Sequence, residues 1–237
     1  FLVDSYSNDR TIDIALSRGI NIVQRKFASF GDQWNYAASE LPISNPWVMK
    51  IDPDERLSDE LKKSIGNSIK NNDANGFEFY RRLWFMGKPL SIRQKILRIW
   101  RNGECKFSNV SVNEHPIVNG EIEFILGDLE HHDSPNLHHW FDKQNQYSTA
   151  ESISVFNNEN LSVEPNILGN SLEKRMWLKK IYSKVPFRHQ VYFIYCFIVL
   201  GAIRSGYLGL IWARLRVQVF RMREYKLIEM NWTDSVY

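Results

Sequence analysis

Short apolar runs alternate with polar stretches punctuated by glycine and proline along the first half of the chain. Phe1 to Val3 is apolar and stops at Asp4, and the polar turn Ser5-Tyr6-Ser7-Asn8 follows. Asp9 to Arg18 carries Ile12, Ile14, Ala15 and Leu16 and is closed by Gly19, which predicts a helix, and Ile20 to Val23 predicts a second strand. Phe30 to Leu41 reads as the next helix, and Trp47 to Ile51 as a buried strand running into Asp52-Pro53-Asp54-Glu55. Ser58 to Lys70 predicts an amphipathic helix with Ser58 as its N-cap and Leu61, Ile65 and Ile69 on one face. Gly76 to Phe85, Leu97 to Trp100 and Phe107 to Val112 predict further strands. A strand–helix–strand rhythm with brief turns points to a parallel α/β unit. Phe1-Leu2-Val3-Asp4 itself reads as the tail of a strand already under way, so an element upstream is expected.

The second half changes character. His131 to Ser148 is polar and histidine-rich, with helix expected in its latter part, and 157–171 is loop-like, with Pro165 and Gly169. Leu172 to Lys184 predicts a basic amphipathic helix. Tyr192 to Ile203 is almost wholly apolar, and Arg204-Ser205-Gly206 breaks the run before Tyr207 to Ala213. Three regions result: an α/β domain over 1–156, a linker over 157–171, and a basic, apolar helical segment over 172–237.

Charge sharpens that division. The net +3 conceals twelve Lys or Arg between Lys174 and Lys226 against the single acid Glu224, so the remainder of the chain is acidic. Such a segment suits an anionic surface. Continuous apolar faces among the cations fit lipid better than a phosphate backbone, so a bilayer is expected and nucleic acid is not. Tyr192 to Ala213 nears the length of a span, but a central Arg204 costs at least about 2.5 kcal/mol in hydrocarbon. Interfacial or re-entrant helices are therefore expected, with Trp177, Arg188, Tyr192, Arg204, Tyr207 and Trp212 at the headgroups. The alternative is a helical hairpin packed on the α/β domain or an oligomer interface. Two distant cysteines, Cys105 and Cys196, argue for a reducing compartment and against a structural zinc site.

The chemistry concentrates in Asp52-Pro53-Asp54. In extended chain, residues two apart project to one side, so two carboxylates at a strand tip suit a hard divalent cation. The plainer reading is an acidic turn leading into a capped helix. His131, His132, His138 and His139 form no expected zinc cluster, because adjacent helical pairs point apart.

Several segments, in order, resemble the family 2 glycosyltransferases of the GT-A fold. They are Asp4-Ser5-Tyr6-Ser7-Asn8-Asp9-Arg10-Thr11, Phe30-Gly31-Asp32-Gln33-Trp34-Asn35-Tyr36-Ala37 and Asp52-Pro53-Asp54-Glu55-Arg56-Leu57. Val112-Asn113-Glu114-His115, Leu129-Glu130-His131 and Lys143-Gln144-Asn145-Gln146-Tyr147-Ser148 further resemble that family's lipopolysaccharide-core glucosyltransferase branch. The resemblance covers roughly residues 2–150. It implies a Rossmann-like, mostly parallel sheet flanked by helices, whose first strand and helix are not in the sequence. It also implies an inverting transfer from a nucleotide-sugar donor, UDP-linked, to a lipid-linked or cell-envelope glycan at the cytoplasmic face of the inner membrane.

Carried over by resemblance, Asp4, Ser5, Asp9, Gln33, Asn35, Asp52 and Lys143 would bind the donor. Asp54, with Asp52 and His131, would hold Mn2+ or Mg2+, and Glu114 would be the general base, with His115 its competitor. His131 equally fits a surface or capping role. A different class of function also fits: a catalytically silent, membrane-associated module that binds nucleotide sugars.

Overall fold

The computed structural model describes residues 1–70, 73–108, 115–157 and 186–236, with the single positions 166, 168, 173 and 177 besides. β1 (Leu2–Asp4), α1 (Thr11–Ser17) and β2 (Ile22–Gln24) keep the expected rhythm. β1 and β2 pair in parallel, with Asp4 opposite Gln24, as a helical crossover requires. α2 (Phe30–Ser39) is capped by Ser29, whose side chain accepts from the Asp32 N–H. α3 (Asp59–Ser68) is capped as expected by Ser58, which accepts from the Leu61 N–H.

A five-stranded sheet carries the centre of the molecule. Its strands are β3 (Trp47–Met49), β4 (Glu55–Leu57), β5 (Gly76–Phe85), β6 (Lys88–Arg101) and β9 (Ile122–His131), in the spatial order β3-β6-β5-β9-β4. Only β5 and β9 run parallel within it. The mostly parallel sheet expected from the sequence is thus a mixed one. The reason is local: Met86 and Gly87, with φ of 50° and 72°, form a two-residue reversal, which can join only antiparallel strands. The strand expected at Leu97 to Trp100 is the end of the 14-residue β6. β7 (Cys105–Phe107) and β8 (Pro116–Val118) form a separate antiparallel pair.

Two apolar cores follow. One joins Leu61 of α3 to Phe77, Phe79, Ile99, Ile125 and Leu129 of the sheet, with Ile65 and Ile69 packed against it. α3 lies so close to β9 that a Cβ on Gly127 would sit 2.4 Å from the Leu61 nitrogen, and Gly127 holds φ at +109°. Only glycine fits there.

The other core binds the far end of the β5–β6 hairpin to α4 (Leu137–Phe156), α5 (Arg188–Ile194) and α6 (Gly206–Thr233). Phe85, Leu90, Ile92, Trp140, Cys196, Trp212 and Ala213 meet in it. The apolar run leaves α5 through a π turn, Tyr195–Val199, and a 3-10 turn, Ala202–Ser205, with Gly201 at φ +80° between them. Where the sequence pattern predicts a short element at Tyr207 to Ala213, α6 runs for 28 residues. It is held along α4: Arg216 Nη1 lies 3.3 Å from Gln144 Oε1, Arg223 pairs with Glu151 at 2.9 Å, and Lys226 Nζ donates to the Asn145 carbonyl at 2.8 Å. The packed-hairpin alternative therefore describes the inward face of this segment.

Candidate functional site

The pairing of β4 with β9 builds the site. Glu55 lies opposite His131 and Leu57 opposite Leu129, and the ladder continues with the His132 N–H donating to the Asp54 carbonyl at 2.8 Å. Residues 77 apart in the chain are thereby neighbours. His131 Nε2 sits 3.2 Å from Asp54 Oδ2 and 3.9 Å from Asp133 Oδ1. One ligand atom each from Asp54, His131 and Asp133 lies within 4.8 Å of the other two. Lys143, one turn and a half into α4, reaches the same carboxylates, at 3.4 Å from Asp54 and 2.8 Å from Asp133.

The electrostatics are those of a half-buried anionic pair with one fixed cation. Burial pushes the Asp54 carboxyl upward, but the His131 hydrogen bond and the charges of His131 and Lys143 outweigh it and hold Asp54 well below the ordinary carboxylate range. Burial likewise pushes the Lys143 ammonium downward, and Asp133 with Asp54 more than reverses that. His131 Nε2 faces the Asp54 carboxylate, to which it donates in the tautomer that carries its proton there, and in the other tautomer its lone pair is the one a cation would take. Its Nδ1 is buried with no partner among the described residues. Two carboxylates and an imidazole around one small space fit a divalent cation with mixed oxygen and nitrogen ligands, which suits Mn2+ better than Mg2+.

Asp52 is placed differently from the expectation. β3 ends at Met49, and the Glu55 N–H donates to the Asp52 carbonyl at 2.9 Å, so Asp52-Pro53-Asp54-Glu55 is a turn and not a strand tip. Side-chain alternation does not apply in a turn, and the two aspartates face different partners. Asp52 Oδ2 receives Arg98 Nη2 at 2.8 Å, and its Oδ1 lies 3.3 Å from Lys50 Nζ. Glu55, whose side chain is wholly buried, accepts from the Asp52 N–H at 2.9 Å and from Arg98 at 2.6 Å, with Arg81 3.8 Å away. Glu55 and Arg98 thus clamp the turn that presents Asp54. Sequence reading missed both, and it missed Asp133, whose spacing of two from His131 was the available signal.

Of the residues expected around a nucleotide, Asp4, Ser5 and Gln33 meet at the end of β1. Asp4 is buried and accepts from the Ser7 N–H at 3.0 Å, the Ser7 hydroxyl, and Gln24 Nε2 at 3.0 Å. Gln33 Nε2 reaches the Ser5 hydroxyl at 3.3 Å. Asn35 instead ties α2 to β7, exchanging hydrogen bonds with the Phe107 carbonyl at 3.0 Å and the Phe107 N–H at 2.8 Å. Asp9 is exposed and accepts from the Thr11 N–H at 3.0 Å at the start of α1. Trp34, beside Gln33, lies under Lys50 Nζ at 4.4 Å, which links this group to the Asp52 turn.

Led by the Gln24 hydrogen bond, those donors lower the Asp4 pKa from 3.8 to about 2. A carboxyl depressed on folding stabilises the protein fully above its unfolded pKa, and that contribution vanishes as pH falls through the folded one. Asp4→Asn is accordingly expected to flatten the loss of stability between pH about 4 and about 2. Urea midpoints across that window check it, and a wild-type curve as flat as the variant's would count against it.

Glu114 lies outside the described residues. Of the six residues expected at a lipid surface, Trp212 is buried and Tyr192 packs its ring 4.1 Å from Phe220. Arg188 forms an ion pair with Glu224 at 2.7 Å, and Trp177 is half-buried. Arg204 and Tyr207 face outward. Among the described residues no single helix is long and apolar enough to cross a membrane, but Arg188–Val199 with Ala202–Thr233, bent by 65°, passes together by length and composition.

No protein-family model matches the chain. It is similar to proteins named uncharacterized glycosyltransferases. One from Rickettsia typhi is 23% identical over 167 residues, covering 64% of this chain and 56% of the relative. One from Rickettsia prowazekii is 25% identical over 167 residues with the same coverage, and one from Rickettsia bellii is 26% identical over 133 residues, covering 52% of this chain and 45% of the relative. The chain spans about half the length of these relatives. The likeness supports a glycosyltransferase at that coarse level.

Proposed function

We propose that the chain is the catalytic part of an inverting, metal-assisted glycosyltransferase of the family 2 type. It would move a sugar from a UDP-linked donor to a lipid-linked or cell-envelope glycan such as the lipopolysaccharide core. The observation that carries this reading is the β4–β9 register, which gathers Asp54, His131, Asp133 and Lys143 in a chain similar to glycosyltransferase-named relatives.

In this reading Asp54, His131 and Asp133 hold Mn2+ or Mg2+, with Asp52 supporting the turn from behind. Such a cation offsets charge growing on the departing nucleoside diphosphate. Lys143 contributes a second positive charge to diphosphate oxygens, and Asp4 accepts from the base or ribose. Glu114 takes the acceptor hydroxyl's proton as the sugar's bond to diphosphate breaks and the new glycosidic bond forms on the opposite face, inverting the anomeric carbon. The work is done at the cytoplasmic face of the plasma membrane, with the protein peripheral or re-entrant.

A panel of nucleotide sugars with Mn2+, read by thermal shift and then by transfer, tests the reading, because a ligand specific to the native state raises apparent stability. Absence of any shift across the panel would sink it. The alternative of a silent sugar-nucleotide-binding module is favoured by one observation: Arg98 and Lys50 engage Asp52 and leave one aspartate of the pair facing the cluster. A donor-induced shift without turnover on any acceptor would select it.

Lys143 separates metal from donor roles. Its ammonium competes with a divalent cation for Asp54 and Asp133, so Lys143→Ala is expected to tighten Mn2+ about fivefold, the worth of one partly exposed ion pair. The same variant is expected to weaken donor binding. Titration of Mn2+ with and without the donor measures both, and loss of Mn2+ affinity would contradict the assignment.

A further inference from the structure

A groove of about 700 Å3 opens between the Met86-Gly87 turn and the start of α6, away from the Asp54 cluster. Met86, Pro89, Leu208 and Ile211 give it apolar walls, Tyr207, Ser91 and Ser205 line it as well, and Lys88 and Arg204 are its charged groups, with no acidic side chain lining it. Neither Lys88 nor Arg204 has an ion pair among the described residues, whereas Arg188, Arg223 and Lys226, towards the other end of α6, are engaged within the protein. The Ser91 N–H donates to the Ser205 hydroxyl at 2.7 Å and fixes the hairpin to the helix start, so the groove is preformed.

Beside it lies an apolar surface that the fold leaves uncovered. Residues 191–203 contain no charged side chain. The inward side of this run, including Phe193, Cys196 and Phe197, joins the core. Val191, Ile194, Ile198, Val199 and Ile203 are half-exposed or more, Val199 at 68%, and the surface reaches Tyr207, 75% exposed, at the groove itself. A helix apolar on all sides and packed on one is a poor match to water. Cations at the end of such a surface complement anionic headgroups.

We propose that this groove seats the phosphate of a bilayer lipid, with Lys88 and Arg204 as its partners and the outward face of residues 191–203 lying among the acyl chains. The occupant is a lipid whose phosphate headgroup carries net negative charge, and the protein docks in the interface without crossing it. α6 is tied to α4, including by the Ser152 hydroxyl donating to the Arg223 carbonyl at 2.9 Å, and is not free to leave the domain. The inference rests on the membrane-facing part of the proposed function and adds where the lipid sits.

Flotation with vesicles of phosphatidylcholine alone, and of phosphatidylcholine with phosphatidylglycerol, tests it on the full chain. The wild type is expected to float with the anionic vesicles. Lys88→Ala with Arg204→Ala is expected to weaken that about fivefold per removed charge, roughly 25-fold together. Ile198→Ser with Val199→Ser is expected to weaken binding to both vesicle types. Circular dichroism keeps folding under watch, and an alternative pair, Lys88→Gln with Arg204→Gln, serves if the alanine variant unfolds. Equal flotation of wild type and groove variants would overturn the proposal. So would a wild type that stays off vesicles and sediments as an oligomer that Ile198→Ser with Val199→Ser dissociates, since the apolar face would then be covered by a second copy. Donor thermal shifts measured on the same samples keep the two readings apart: donor binding without flotation removes only the lipid site, and flotation without donor binding removes only the transferase.

Discussion

Asp54→Asn is expected to lower sugar transfer about a thousandfold and to abolish the Mn2+ requirement of donor binding, with the fold retained. Preorganised charge aimed at a leaving group contributes on the order of a hundred- to a thousandfold per donor, and a polarising cation adds several kcal/mol. Asp54 is the residue on which that charge converges, with His131 at 3.2 Å, Lys143 at 3.4 Å and Asp133 within 4.8 Å by way of their ligand atoms. The amide keeps the shape and loses the charge. His131→Gln and Asp133→Asn are expected to follow in the same direction with smaller losses. Mn2+ affinity and transfer rate, measured on the same preparations, decide the matter. An Asp54→Asn protein with wild-type metal affinity and rate would remove the metal from this site altogether.

Glu55→Ala is expected to be the most destabilising single change near the site, by about 3–5 kcal/mol. Its carboxylate is completely buried between the Asp52 N–H and Arg98. Removing one partner of a buried pair leaves the other charge with its desolvation uncompensated. Arg98 is itself buried, with an Nε that has no partner among the described residues, so it has little to fall back on beyond Asp52. Glu55→Gln keeps the shape and part of the hydrogen bonding and should cost less. Urea unfolding at constant m-value reads both. Glu55 touches no proposed substrate or metal, so it is a positioning residue. Its readout beyond stability is Mn2+ affinity in Glu55→Gln, which should fall as the Asp52–Glu55 turn loosens and Asp54 loses its aim. A cost under about 1 kcal/mol for Glu55→Ala would mean that the bracket is incidental.

Much of the scaffold was legible from residue pattern. Ser58 as a cap, Leu61, Ile65 and Ile69 as a buried face and Gly76 to Phe85 as a strand all stand in the structure, because capping and periodicity are local physics. The direction of the strands was not legible. Whether β5 continues into an antiparallel β6 turns on two residues, Met86 and Gly87, adopting positive φ, and Met is an uncommon residue for that conformation. The length of α6 was hidden as well, since its apolar and basic residues surround the helix and give no one-sided stripe to count.

The site divides the same way. Asp54 stood out from the chemistry of the paired aspartates, and Asp4, His131 and Lys143 through the family resemblance; the fold brings Asp54, His131 and Lys143 together. Asp52 was taken for Asp54's twin because alternation in a strand puts such residues on one side. The turn at Pro53 removes that alternation and hands Asp52 to Arg98. The amino-acid sequence by itself determined the periodic helices, the cap at Ser58 and which acidic and basic groups are available, since each depends on neighbours a few residues away, whereas β4 and β9, which frame the cluster, carried no such local signal. Which of those groups meet was decided only by tertiary structure. The register of β4 against β9 joins Asp54 to His131 and Asp133, and the packing of α6 on α4 turns Trp212 inward while leaving Arg204 and Tyr207 outside. Contacts between residues 77 apart depend on long-range pairing, whose entropy cost is met by the whole buried core and not by any local motif.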